Sequence, residues 1–185
     1  MSFLDLVKRR KSIRKYDTRP VPREAIERCL EAARLAPSAC NCQPWQFIVV
    51  DDAQLKERVA QAAFSGVHTM NSFAKNAPVL VAVVRDRSSY LSALGGACRG
   101  IPFSLIDVGI ACEHFALQAA EEGIGTCYLG WFKERAVKNI LGLTRDKKID
   151  MMMSMGYPAG DEQRDKIRKS LNEMSRFNLE NRFSH

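Results

Sequence analysis

Residues 78–84 constrain the fold most, because Pro-Val-Leu-Val-Ala-Val-Val is a continuous run of apolar, mostly β-branched side chains. A run of this kind is typical of a central strand that is buried on both faces. Residues 104–122 predict a long helix that ends at Gly123, and most of its circumference is apolar or small. We expect such a helix to be buried on most sides, either inside the protein or against a second subunit.

The rest of the chain predicts an alternation of helices and strands within a single α+β domain, residues 1–185. A capping box at residues 2–5 opens a short helix. Apolar spacing and turn signals predict further helices over residues 22–35, 52–64 and 133–141, and further strands over residues 47–50, 126–131 and 149–155. Residues 85–103 contain three glycines and predict a loop, and residues from about 159 to 185 predict a basic C-terminal tail.

The composition is typical of an ordinary globular protein, with 46% hydrophobic and 26% charged residues. No apolar run approaches the roughly 20 residues of a membrane helix. The N-terminus lacks the pattern of a secretory signal, so we expect a cytoplasmic protein. Six mostly scattered cysteines and three histidines, without a CxxC pair or an HExxH motif, predict reduced thiols and no metal site.

A net charge of +7 leaves two kinds of partner open, a nucleic acid or a small anionic ligand. The cations concentrate in residues 8–15 and 164–169. In an extended backbone alternate side chains share one side, and such a set can hold a phosphate and its polar linker. The residues grouped in this way are Arg10, Ser12 and Arg14 in the first segment and Lys166 and Arg168 in the second. Each segment taken alone is more typical of a solvated basic surface.

Residues 36–47 (Ala-Pro-Ser-Ala-Cys-Asn-Cys-Gln-Pro-Trp-Gln-Phe) are the most distinctive stretch of the chain. Two prolines together with turn-forming serine and asparagine exclude a continuous helix. We therefore expect a rigid polar loop beside a buried sheet, suited to holding a flat polar ligand. The glycines of residues 123–125 do not form a dinucleotide fingerprint, because a predicted helix precedes them and a predicted strand follows.

Four motifs together resemble the FMN-dependent nitroreductase family of NAD(P)H oxidoreductases. They are Arg10-x-Ser12-x-Arg14, Pro37-Ser38-Ala39-x-Asn41-x-Gln43-Pro44-Trp45, Gly123-Ile124-Gly125-Thr126-Cys127-Tyr128-Leu129-Gly130, and Gly156-Tyr157-Pro158 followed by Lys166-Ile167-Arg168. The motifs occur in the family's order and span residues 9 to about 171. The resemblance implies a three-layer α+β sandwich with a central mixed β-sheet flanked by helices, and a homodimer with two FMN molecules at the subunit interface.

The resemblance also implies which residues hold FMN. Those for the phosphate and the ribityl chain are Arg10, Ser12, Lys166 and Arg168, with Arg14 near the flavin or its linker. Those that approach the ring from the other subunit are Pro37, Ser38, Ala39 and Asn41, with Gln43 close by. Leu129 and Gly130 would place backbone N–H groups near flavin N5. Residues 71–75 match a stretch where the family often adds an amide and a lysine, here Asn71 and Lys75.

The activity implied by the resemblance is a ping-pong transfer of electrons from NADH or NADPH to a nitroaromatic or quinone, without a nucleophilic or acid–base side chain. Three further activities would keep FMN, namely reductive dehalogenation, flavin breakdown and flavin-linked regulation. A function of another class is non-enzymatic nucleic-acid binding, although the chain has no recognisable helix-turn-helix, zinc finger or RNP motif.

The resemblance leaves two features of this chain to be interpreted separately. Cys40 and Cys42 stand where the family more often has Ser, Thr or Asn, and they are interpreted either as small residues that fill space or as redox-active thiols. Residues 85–103 would cover the substrate and set specificity.

Overall fold

Helices and strands alternate along the chain, which the computed structural model describes for residues 1–86, 101–160 and 166–178. The helices of this part are α1 (Phe3–Arg9), α2 (Arg23–Arg34), α3 (Ala53–Ala63), α4 (Phe103–Glu121), α5 (Glu134–Ile140) and α6 (Leu171–Met174). The strands are β1 (Gln46–Val50), β2 (Val79–Asp86), β3 (Gly125–Leu129) and β4 (Lys147–Gly156). Two segments are 3-10 helical, Ala39–Asn41 and Gly66–Asn76. No helix in these ranges is long and apolar enough to cross a membrane.

The predicted helices and strands are confirmed, with shifts of one or two residues at the predicted ends. At the start of α1 the capping box forms, because the Asp5 backbone N–H donates to Ser2 Oγ (3.2 Å) and the Ser2 N–H donates to Asp5 Oδ2 (3.1 Å). The predicted loop over residues 85–103 is shorter, since Arg85 and Asp86 pair with β4 and extend β2. Residues 87–100 of that loop lie outside the described residues.

The four strands form one sheet in the order β1-β2-β4-β3, with every neighbouring pair antiparallel. The apolar run predicted as a central strand is β2, and it lies between β1 and β4 as expected. The sheet of the described residues is therefore antiparallel and not mixed as expected, because the parallel contact between Ser12 and Thr126 at the outer side of β3 is an isolated bridge that adds no strand. This sheet places β1 and β3 at its two edges.

Alternate side chains of β2 enter two hydrophobic cores on opposite faces of the sheet. Val79, Val81 and Val83 pack with residues of α2 and α4. The residues between them, Leu80, Ala82 and Val84, pack with residues of α3 and α5. Because a strand buried on both faces needs apolar cover on each side, the result is the predicted three-layer α+β sandwich.

The segment that follows α1 is fastened to the outer edge of the sheet. The Ile13 backbone N–H donates to the Thr126 carbonyl (2.9 Å). The buried hydroxyl of Tyr16 donates to the Ile13 carbonyl (2.6 Å) and lies 2.7 Å from Oγ of Ser154, which is fully buried in β4. Burial raises the pKa of the Tyr16 phenol, so this hydroxyl remains protonated and able to donate. The network therefore ties residues 13–16 to β3 and β4.

We expect Tyr16→Phe to lower the free energy of unfolding by about 1–3 kcal/mol, because it leaves the Ser154 hydroxyl and the Ile13 carbonyl without this partner. Urea denaturation of both proteins measures the difference. The matched control is Tyr157→Phe, which keeps the ring that stacks 3.3 Å from the Arg19 guanidinium carbon and is expected to change stability little. Equal stability of Tyr16→Phe and the wild type would contradict the structural role of this hydroxyl.

Candidate functional site

Three basic side chains from the two ends of the chain lie together beside α1. Lys166 Nζ donates to the Val7 carbonyl in the last turn of α1. Burial, followed by the positive charges of Arg10 and Arg168, lowers the pKa of Lys166. The structure therefore brings together Arg10, Lys166 and Arg168, which the sequence placed in two separate segments. Like charges gathered in this way repel one another, and an anion bound among them would remove that cost.

Arg10, Lys166 and Arg168 are called the cation cluster below. The carboxylate of Glu113 in α4 lies beside this cluster. Its Oε1 lies 3.4 Å from Nε of Arg10, and its Oε2 accepts a hydrogen bond from the Tyr128 hydroxyl (2.8 Å). Glu113 thus links Arg10 to β3. One carboxylate leaves a surplus of positive charge among three cations. The sequence reasoning missed Glu113 and Tyr128, because nothing in helical spacing shows which α4 side chain meets residue 10.

Arg10, Ser12 and Arg14 flank the same buried thiol, that of Cys127 in β3. Burial raises the pKa of Cys127, whereas the charge of Arg14, a hydrogen bond with Ser12 and the charge of Arg10 lower it. Ile13, between Ser12 and Arg14, is buried in the core. This alternation is the one expected of an extended segment, and it lines the outer edge of β3 with two cations and a hydroxyl.

The C-terminal end of β3 is open on one side and held by the 66–76 segment on the other. The Leu129 side chain is buried in the core, so only its backbone can serve a ligand. Gly130 is exposed, and no atom lies within 4 Å of the position that a Cβ would take. Asn71 Nδ2 donates to the carbonyl of Trp131 (2.9 Å), which places this amide next to Gly130. Lys75 instead donates to Gln61 of α3 (2.8 Å).

The polar loop, residues 36–47, contains a tight 3-10 turn with an unusual backbone. The φ angles of Cys40, Asn41 and Gln43 are +52°, +54° and +46°, a region that non-glycine residues rarely adopt. The Gln43 backbone N–H donates to Ser38 Oγ (2.9 Å), and the Gln43 side-chain amide donates to the Asn41 carbonyl (3.1 Å). These bonds hold the conformation that the two prolines and the turn-forming residues predicted as a rigid loop.

The polar loop and the cation cluster lie toward opposite edges of the sheet. The loop leads into β1, whereas Ser12 and its neighbours flank β3, and β2 and β4 lie between these strands. Three strand spacings amount to about 14 Å. The strands next to the two features are thus well separated, although both features also contact α4, the loop at Asp107 and the cluster at Glu113.

Among the described cysteines, we expect alkylation of the native protein at pH 8 to begin at the polar loop. The five described cysteines are free thiols, of which Cys40 is exposed and Cys42 half-buried. Burial raises the pKa of Cys29 and of Cys112 to about 12, so only about one thiol in 10,000 is ionised at pH 8. Iodoacetamide labelling followed by peptide mass spectrometry tests this order, with urea-denatured protein as the control. Equally fast labelling of Cys29 in the native protein would contradict it.

Comparison with known proteins identifies the protein family of this chain. Residues 7–157 match the nitroreductase family. The chain belongs to the nitroreductase family. It is therefore an oxidoreductase, as the sequence motifs predicted. A protein of Methanothermobacter thermautotrophicus, provisionally named an NADH dehydrogenase/NAD(P)H nitroreductase, is 31% identical to it over 163 residues, covering 86% of this chain and 78% of that protein.

Further similar proteins differ in the activity that their names state. An iodotyrosine deiodinase of Thermotoga neapolitana is 25% identical over 174 residues, covering 83% of this chain and 87% of that protein. Among solved structures, an FMN-dependent nitroreductase from Clostridium difficile R20291 has a TM-score of 0.75 at 26% identity, covering 95% of this chain and 99% of that one. Proteins similar to this chain thus carry at least two named activities.

Proposed function

We propose that this nitroreductase-family protein is a homodimeric, FMN-dependent NAD(P)H oxidoreductase that reduces electron-poor acceptors such as nitroaromatics or quinones. The observation that carries the proposal is the convergence of Arg10, Lys166 and Arg168 next to the extended edge that holds Ser12. Two arginines and a lysine suit a dianionic phosphate, because guanidinium groups bind its oxygens in pairs and an ammonium adds charge.

The residues present fit FMN in both charge and shape. The cation cluster suits a phosphate, and Ser12 suits a hydroxylated linker. The one negative charge of Glu113 does not balance the three positive charges of the cluster, so a surplus of positive charge is left for the phosphate. From there the edge of β3 runs to Gly130, whose open surroundings leave room for a flat ring against the backbone. Arg14 lies along this edge, with its guanidinium carbon 5.8 Å from the centre of the Phe73 ring.

The chain's own residues would bind and orient the cofactor. FMN, when bound, would accept a hydride from NADH or NADPH and return two electrons to the acceptor in a ping-pong cycle. Arg10, Ser12, Lys166 and Arg168 would hold its phosphate end. Leu129 and Gly130 would present backbone N–H groups at its ring, and Arg14 would favour negative charge there.

The proposed homodimer is supported by apolar side chains that are left exposed in one chain. Leu105 and Ile106 of α4 are about half exposed, and Ile167 and Phe177 of the C-terminal segment are 93% and 91% exposed. Exposed apolar side chains such as these are candidates for a surface that a second copy covers. A second copy that covers them could also bring its polar loop to this chain's flavin, so that Pro37, Ser38, Ala39, Asn41 and Gln43 of each copy would complete the other's site.

An absorption spectrum of the purified protein, repeated after addition of FMN, tests the cofactor. Flavin bands near one FMN per chain, bleached anaerobically by NADH or NADPH and restored by a quinone, are the expected result. Light scattering should give the mass of a dimer. A colourless protein that takes up no added FMN would refute the proposal, and a monomer that binds FMN tightly would refute the shared site.

Reductive dehalogenation is the second candidate function. The similarity to an iodotyrosine deiodinase favours it over flavin breakdown, flavin-linked regulation and nucleic-acid binding. It would use the same FMN site with a halogenated phenol as acceptor. Release of iodide from iodotyrosine by the reduced protein, compared with its reduction of a nitroaromatic under identical conditions, separates the two functions.

A further inference from the structure

Asp107 is a buried carboxylate that contacts the polar loop from α4. Only 4% of its surface is exposed, and its Oδ1 accepts a hydrogen bond from the Ala39 backbone N–H (3.1 Å). Acidic residues are almost never fully buried unless they are paired or hydrogen-bonded. A hydrogen bond to a charged acceptor is also among the stronger kinds in proteins. Asp107 therefore fastens the loop firmly at one backbone position.

The position of this bond is important because the loop is conformationally unfavourable just after it. Three residues between 40 and 43 have positive φ angles, and each costs free energy relative to an ordinary backbone. Among residues 38–43, the other hydrogen bonds that the structure describes join the turn to itself, as Gln43 N–H to Ser38 Oγ and Cys42 N–H to the Ala39 carbonyl do. The hydrogen bond to Asp107 ties this internally bonded turn to the helix layer of the protein.

We propose that Asp107 is a positioning residue that clamps the polar loop in the shape needed to face the flavin ring. It acts through Ala39 and touches neither cofactor nor substrate. The part of this proposal that concerns flavin rests on the function proposed above. The clamp itself does not, because it can be measured in the flavin-free protein through a thiol of the loop.

The test uses the Cys42 thiol as a reporter of loop opening. Cys42 is half-buried and directly follows the 3-10 turn Ala39–Asn41, so its exposure should increase when the turn opens. Cys40 and Cys98 are replaced by serine so that neither competes for the reagent. Reaction of the flavin-free protein with DTNB at pH 8 is followed in this background for Asp107→Ala and Asp107→Asn. Losing a charge-assisted hydrogen bond should speed Cys42 labelling about tenfold in the alanine variant. The asparagine variant should show a smaller increase, because its amide oxygen can still accept.

Glu121→Gln is the matched control, because it removes one carboxylate from the exposed side of the same helix and should leave the Cys42 rate unchanged. Cys29 must stay unlabelled, which separates local opening from global unfolding. Labelling of Cys42 at the wild-type rate in folded Asp107→Ala overturns the clamp. If that variant does not fold, an unchanged rate in Asp107→Asn overturns it instead.

Flavin binding then tests the link between the clamp and the site. Asp107→Ala should weaken FMN and riboflavin about equally, because the loop faces the ring that the two ligands share. Unchanged affinity for both, with faster Cys42 labelling, overturns the loop's place at the flavin. A wild-type protein that binds no FMN refutes the proposed function, while the Cys42 rates still decide the clamp.

Discussion

Arg10→Ala will weaken FMN binding roughly 10- to 150-fold and leave riboflavin binding almost unchanged. The range follows from the 1.5–3 kcal/mol that a hydrogen bond to a charged group contributes. The guanidinium of Arg10 is held by a carboxylate, because Glu113 lies 3.4 Å from its Nε and is itself held by Tyr128. A guanidinium held in place loses little entropy when it binds phosphate. Riboflavin lacks the phosphate, so it does not use this residue.

Titration of flavin fluorescence with each variant measures both affinities. Lys8→Ala is the matched control, because it removes one positive charge from the exposed last turn of α1 without touching the cluster. It should change FMN affinity by less than about threefold, the scale of a screened long-range charge. Equal losses in Arg10→Ala and Lys8→Ala would mean that only net charge attracts FMN. An equal loss of riboflavin affinity would place Arg10 at the ring or would indicate damage to the fold.

Gly125→Ala is expected to destabilise the protein by about 2–3 kcal/mol, at the upper end of the usual cost of overpacking. A Cβ at position 125 would lie 2.4 Å from Cγ1 and 2.7 Å from Cβ of Ile13. The Cβ of Ile13 cannot rotate away, because it is bonded directly to a backbone that is hydrogen-bonded to Thr126. The segment that carries Arg10, Ser12 and Arg14 must therefore move off β3, so FMN affinity should fall as well.

Urea denaturation measures the loss, and a double-mutant cycle tests its cause. Gly125→Ala should cost at least about 1 kcal/mol less in an Ile13→Ala background than in the wild type, because two of the three close carbon atoms are then absent. Gly109→Ala is the control, since a Cβ there meets nothing within 4 Å and alanine favours a helix. Additive costs of the two substitutions at positions 13 and 125 would contradict the packing explanation.

The secondary structure could be predicted from the sequence because its signals are local. The apolar run of β2, the capping box at Ser2 and the apolar circumference of α4 each depend on residues that are neighbours in the chain. The 66–76 segment was not predicted, since its conformation depends on bonds such as that from Asn71 to the distant Trp131 carbonyl. The sequence also predicts a loop at Arg85 and Asp86. They form part of a strand only because they pair with β4, which is distant in the chain.

The candidate site was predicted unevenly. Its residue types were evident, because arginine and lysine beside a serine suit a phosphate, and residues 36–47 have the composition of a rigid turn. The supporting residues were not evident. The sequence shows Asp107 only as one of several polar residues in the predicted helix over 104–122, and the structure shows that it is buried and bonded to Ala39.

The sequence by itself determined which segments form helices and strands, which motifs belong to the nitroreductase family and which side chains can carry a phosphate. These properties follow from side-chain chemistry and from backbone preferences over a few residues. Only the tertiary structure shows that Arg10, Lys166 and Arg168 lie near one another, that Glu113 supports the first of them, and that Asp107 of the same helix holds the polar loop. Such meetings depend on contacts between residues far apart in the chain, and those contacts exist only once the two hydrophobic cores have closed around β2.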